Sequence, residues 1–140
     1  MRFLIPLIAV AALSGCMSAN SPEVQAARAE ADARADAALT KALKGKVQSG
    51  APTSCITLSQ ARSSTTIRDR AVVYEMNAGL AYVNEFQNGC TGLNDTNAII
   101  TRTTTSQLCR GDIATVRDLV AGFDMGSCIF GDFIPYRKAR

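Results

Sequence analysis

Five cysteines are the residues of this chain best suited to chemistry: Cys16, Cys55, Cys90, Cys109 and Cys128. A reactive thiolate draws on a neighbouring base or cation, and a zinc site draws on closely spaced Cys and His ligands. The sequence has no histidine, which removes the commonest general base and the commonest metal ligand together. The spacings from Cys55 to Cys128 match no zinc pattern. Four aspartates gather in the C-terminal third: Asp112, Asp118, Asp124 and Asp132. Paired carboxylates serve glycoside hydrolysis when a fold sets them at a fixed separation, but this spacing suits turns and caps. The chain carries no phosphate-binding loop, dinucleotide fingerprint or calcium loop. The reading is of no catalytic residue, no metal and no cofactor. A formal charge of +3 over 140 residues is too small for a nucleic-acid footprint, so no nucleic-acid partner is expected.

The remaining polar clusters read as punctuation. Arg110-Gly111-Asp112 has the letters of an adhesion tripeptide and is read as a turn beside Cys109. Asn94-Asp95-Thr96 fits the N-glycosylation pattern and is read as a polar loop. Arg68-Asp69-Arg70 is read as a solvated turn, and Arg102 as decoration on the outer face of a strand.

The N-terminus accounts for the odd cysteine. Arg2 precedes an apolar run from Phe3 to Leu13, too short for the roughly 20 residues of a membrane-spanning helix. A positive start, a short apolar core and small residues describe a secretory signal peptide, residues 1–15. Leu13-Ser14-Gly15-Cys16 at its end resembles the lipobox of bacterial lipoproteins. The resemblance implies cleavage before Cys16 and acylation, palmitate among the acyl groups, on that residue alone. Several acyl chains, at about 0.8 kcal/mol per buried methylene, make a stable membrane anchor. Met17, rather than an aspartate, follows Cys16. In enteric bacteria that implies the outer membrane, facing the periplasm, rather than retention in the inner membrane.

Behind a short lipidated linker (16–22), the segment 23–45 predicts a helix. It is rich in alanine, lacks internal Gly and Pro, and has Ser21 and Pro22 at its start and Gly45 at its end. Its apolar stripe is mostly methyl groups, so it reads as a solvated tether, with an alanine-seam coiled coil as the competing reading. Gly, Pro and Ser mark 46–54 as a linker. From Cys55 to Arg140 β-branched and aromatic residues alternate with turn signals. Ala71–Met76 and Leu80–Asn84 predict a hairpin around Asn77-Ala78-Gly79. Further strands are expected at 56–60, 65–67, 98–103 and 112–119, with Cys128–Phe130 and Phe133–Ile134 closing the domain. The expected class is mainly β, a small antiparallel sheet or partly open barrel, preceded by one Ala-rich α-helix. Its core draws on Ile, Val and Leu with Tyr82, Phe86, Phe130 and Phe133.

Four cysteines in an exported domain predict two disulfides. Three connectivities are open. The expected pairing is Cys55–Cys128, joining the first strand to the last, with Cys90–Cys109 closing a short loop. The strings CITL at Cys55, LCRGDIATVRD at Leu108 and CIFGDFIPY at Cys128 resemble small disulfide-bearing lipoproteins of alphaproteobacteria with no assigned activity. That resemblance carries no functional residue. The expected function is an outer-membrane-anchored periplasmic binding or scaffolding module whose partner is an envelope protein or peptidoglycan. An inhibitor of a hydrolase such as lysozyme is the alternative, and an enzyme of unknown type is third.

Overall fold

A computed structural model of the chain describes residues 21–139. The leader, Cys16 and most of the lipidated linker lie outside the described residues. Helix α1 (Pro22–Leu43) starts as its sequence directs. The Ser21 hydroxyl accepts from the Val24 amide, and Pro22 opens the first turn. Lys44, left-handed at φ 52°, ends the helix by donating its N–H to the Lys41 carbonyl.

The strands that follow are β1 (Lys46–Gln48), β2 (Cys55–Thr57), β3 (Ala61–Ile67), β4 (Ala71–Met76), β5 (Ala81–Gln87), β6 (Asn97–Thr101), β7 (Gln107–Cys109), β8 (Ile113–Asp118) and β9 (Asp124–Lys138). One antiparallel sheet runs β3-β4-β5-β9-β8-β6, with β1 added along the C-terminal half of β9. Strands β2 and β7 form a separate ribbon. The large sheet curls into a half-barrel, so the expected class is the observed one.

Strand β4 is the most apolar because it is buried on both faces. Val72, Tyr74 and Met76 point into the half-barrel, beside Phe86, Val116, Phe130 and Phe133. Ala71 and Val73 point outward and are covered by α1 through Ala35, Leu39, Ala42 and Leu43. The C-terminal half of the helix is therefore a packed cover on β3, β4 and β5. Most of its N-terminal half, from Pro22 to Arg34, is exposed.

The stretch 46–54 is not the linker its composition suggested. Lys46 is buried and binds both carboxylate oxygens of Glu75, at 2.8 and 3.0 Å. The Ser49 and Thr53 amides donate to the carbonyls of Pro135 and Phe133, each at 2.9 Å. Gly, Pro and Ser mark irregular backbone correctly, but here that backbone is hydrogen-bonded edge to β9. The turn Arg68-Asp69-Arg70 is also more than solvated. Asp69 accepts from the Gly92 amide at 2.8 Å, and Arg70 bridges Asp36 of the helix to Glu85 of β5. Arg102 is exposed just past the end of β6, rather than on a strand face.

Strand β9 contains the decisive irregularity. Phe86 lies opposite Phe130 and Asn84 opposite Phe133, so β9 inserts one extra residue against Glu85. In a regular strand Phe130 and Phe133, three apart, would face opposite sides. The bulge turns both inward, where both are fully buried. It also frees backbone groups, and the buried Asn84 side chain takes them up. Its Oδ1 accepts from the Gly131 amide at 3.1 Å, and its Nδ2 donates to the Gly131 carbonyl at 2.7 Å and the Asp132 carbonyl at 3.3 Å. A Cβ on Gly131 would strike the Glu85 carbonyl oxygen.

Two disulfides are present, but the expected pairing is wrong. Cys55 joins Cys109 and Cys90 joins Cys128. Cys55 lies directly opposite Cys109 in the β2–β7 ribbon. Cys128 points into the core from β9, where Cys90 is also buried. Spacing favoured the shorter loop between Cys90 and Cys109, whereas strand register made the choice. Loops of 54 and 38 residues correspond to about 4 kcal/mol each in the chain-entropy model.

Two outcomes are expected. Non-reducing proteolysis and mass spectrometry will recover the peptide pairs Cys55–Cys109 and Cys90–Cys128, and a Cys90–Cys109 peptide would refute the register. In urea denaturation of the oxidised protein, Asn84→Ala will cost about 2–3 kcal/mol, since buried backbone groups lose their partners. Gly131→Ala will cost at least as much, and Ser63→Ala, on the exposed β3, within about 0.5 kcal/mol.

Candidate functional site

The strand order β3-β4-β5-β9-β8-β6 ends at β3 on one side and β6 on the other. A slot of about 410 Å³ lies between them, lined by residues of both strands. Registration places Ser64 opposite Tyr74 and Thr66 opposite Val72, so these β3 hydroxyls share the inner face with Tyr74. From the other edge come Asn97, Ile99 and Thr101, with Asp95 at the rim. Leu58 and Val72 contribute apolar wall.

Some of these polar groups are already engaged. Asn97 donates to the Gly92 carbonyl at 2.6 Å, and Thr66 to the Asn94 carbonyl at 3.4 Å. These bonds tie the 92–97 loop together and to β3. The others are not engaged: among the described residues, nothing hydrogen-bonds the hydroxyls of Ser64, Tyr74 and Thr101 or the carboxylate of Asp95. Tyr74 is the most telling, since only 8 % of it is exposed. Burial pushes its phenol well above the ordinary tyrosine range. Its hydroxyl nevertheless keeps an opening into the slot. Three free hydroxyls and one carboxylate around an apolar wall can bind a polar ligand that is neutral or cationic. The wall carries no cation to hold an anion.

A larger groove, about 850 Å³, lies beneath α1, between Ala31, Asp32, Ala35 and Ala38 and the 68–70 turn. Its three arginines, Arg34, Arg68 and Arg70, face as many acids, Asp32, Asp69 and Glu85. Arg70 is spanned by Asp36 and Glu85, and Arg34 is paired with Glu30. This groove is the seam where helix meets sheet, and it is the weaker candidate despite its size.

The residues singled out from sequence lie elsewhere. Cys16 is outside the described residues. Cys55, Cys90, Cys109 and Cys128 are all in disulfides. The four aspartates do not converge. Asp112 accepts from the Cys109 amide, Asp118 from the Val120 and Ala121 amides, Asp124 pairs with Arg117, and Asp132 pairs with Arg110. Arg117 holds the Asp124 carboxyl below the usual carboxylate range. Among the described residues no three Cys, Asp or Glu side chains gather as a metal site. Sequence reasoning reached the polar loop with Asp95 but missed Ser64, Thr66, Tyr74, Asn97 and Thr101. The available signal was the run Ser63-Ser64-Thr65-Thr66 in β3, whose alternate members Ser64 and Thr66 share one face of a strand.

Residues 1–129 match a family of unknown function (DUF6491), and the chain belongs to that family. No curated protein and no solved structure matches the chain.

The Tyr74 geometry has a pH signature. A phenol whose pKa is raised by the fold stays protonated while the unfolded chain ionises, so stability falls as pH rises through about 10. Tyr74→Phe will stay within about 0.5 kcal/mol of the parent at neutral pH, because no hydrogen bond is lost. It will retain more stability than the parent at alkaline pH. Equal alkaline losses, measured by denaturant titration, would show the phenol to be solvated.

Proposed function

We propose that this chain is a lipid-anchored binding module of the bacterial envelope, held in the outer membrane through acylated Cys16 and facing the periplasm. The slot between β3 and β6 is its binding element. One observation carries this reading: Ser64, Tyr74, Thr101 and Asp95 converge on one cavity with no protein partners. Polar groups set around an apolar wall are what a specific small site needs. They sit on strands, whose geometry is firmer than a loop's.

We read the slot as binding rather than catalytic because none of its hydroxyls is hydrogen-bonded to the Asp95 carboxylate, so no nucleophile is paired with a base. Its ligand is a neutral or cationic group presented by an envelope protein or by peptidoglycan. The lipobox Leu13-Ser14-Gly15-Cys16 supports the anchor. No helix among the described residues is long and apolar enough to cross a membrane, so an anchor there would have to be of another kind.

In-cell photo-crosslinking tests the site. A photoreactive residue at Ser64 or Thr101 will give a discrete adduct that weakens when Tyr74 is changed to Phe. The same probe at Asn77, in the turn between β4 and β5, will give none. Equal labelling from all three positions rejects the slot. Recovery of a hydrolase that the purified protein blocks stoichiometrically would replace scaffolding with inhibition. Loss of metabolic acyl labelling in Cys16→Ser tests the anchor separately.

A further inference from the structure

The tip of the β8–β9 hairpin presents apolar side chains to solvent. Leu119 is 66 % exposed, Val120 94 % and Phe123 57 %, with Met125 exposed just behind them. The tip is not a loose loop. The Asp118 carboxylate accepts from the Val120 amide at 2.7 Å and the Ala121 amide at 2.9 Å, and Gly122 donates to the Asp118 carbonyl at 3.0 Å. At its base Arg117 pairs with Asp124 across the two strands. An ordered turn thus holds three large apolar side chains in water, and such a patch on a folded surface marks a contact.

The position of the patch indicates the partner. Residues 31–36 of α1 lie over the 68–70 turn, fixed by the Asp36–Arg70 pair. Pro22–Glu30 continues past that turn by about 13 Å at 1.5 Å per residue. The hairpin leaves the same end of the half-barrel. Gln87, near the end of β5, pairs with Ile129, and Asp124–Cys128 continues beyond that pair by about 16 Å of strand. Residues 1–20 join the helix at this end, and Cys16 is five positions before Ser21.

We propose that the tip Leu119–Phe123 inserts into the surface of the bilayer that holds the N-terminus, as a second and reversible membrane contact. The proposal rests on the lipid-anchor reading for the position of that bilayer. Leu119, Val120 and Phe123 enter the acyl boundary, and the Arg117–Asp124 pair stays at headgroup level. With two points of attachment the half-barrel stands in a set orientation, with the β4–β5 turn facing away from the membrane.

The chain has no tryptophan, so Phe123→Trp installs a unique fluorophore at an exposed aromatic position. The full lipidated protein carrying it, with acylation of Cys16 verified by mass, is placed in phosphatidylethanolamine–phosphatidylglycerol vesicles with and without brominated acyl chains. The emission will shift to the blue and be lost to bromine quenching. Asn77→Trp, at the opposite end, will show neither change. An aqueous, unquenched Trp at 123 in acylated protein overturns the tip contact and leaves the anchor standing, as does a blue shift without quenching. Quenching in protein whose mass shows no acyl group supports the tip contact and removes the anchor reading instead.

Discussion

The half-barrel depends on one arrangement: Asn84 gripping the backbone of Gly131 and Asp132. Strand β9 is the strand on which the sheet is assembled. It pairs with β5, β8 and β1, bridges to Thr53, and supplies Cys128. To do this it must bend and keep Phe130 and Phe133 on the same side. The inserted residue accomplishes both, at the cost of stranded backbone groups in a site that excludes water. A side-chain amide is suited to that position because it presents a donor and an acceptor together. An apolar residue of the same size would leave the bulge unsatisfied, and an Asp would lack the donor. The absent Cβ at Gly131 is the other half of the arrangement, since the Glu85 carbonyl occupies its place.

From that bend the remaining structure follows in layers. Curling brings Phe86, Phe130, Phe133 and Tyr74 together inside. The outside of β3, β4 and β5 would then be an exposed apolar surface, and α1 covers it. Its alanines suit the task, since small side chains let a helix lie close to a sheet. Two parts of the chain outside the ladder of the large sheet are fixed by cross-links. The β2–β7 ribbon is held by Cys55–Cys109, and the loop after β5 is held to β9 by Cys90–Cys128. No strand ladder joins β3 to β6, so the slot between them is a direct result of the topology.

Much of this was legible in the sequence, and what was not shares one cause. Strand identity is local: Ala71–Met76 and the turn at Asn77-Ala78-Gly79 stand where β-branched and aromatic content between turn signals put them, with Gly79 at φ 71°. The helix start at Ser21-Pro22 is likewise written in adjacent residues. Pairing is non-local. Nothing near Cys55 or Cys109 says that they lie opposite one another, and loop length pointed to other partners. Lys46 and Glu75 are 29 residues apart in sequence, so Lys46 looked like part of a linker. Asn84 looked like the polar end of a strand because the bulge it serves is on another strand. One clue was available: Phe130 and Phe133, an odd number of residues apart with Gly131 between them, are incompatible with a regular inward-facing strand. The slot was illegible for the same reason, since its walls come from β3 and β6, which are neighbours only after the sheet has curled.

The two exposed features differ in the interactions they can make, and that separates their roles. The slot is polar, small and rigid, with one carboxylate and three free hydroxyls, so it can discriminate by geometry. The hairpin tip is apolar and convex, so it offers area without directional bonds, which suits a fluid surface better than a specific ligand. Helix α1 couples them. Its packed half is fixed to the sheet through Leu39, Leu43 and the Asp36–Arg70–Glu85 bridge. Its exposed half carries the chain toward the N-terminus. A tether that was wholly solvated would leave the slot free to point anywhere. A helix that is half cover and half spacer transmits the position of the N-terminus to β3 and β4, and hence to the wall of the slot.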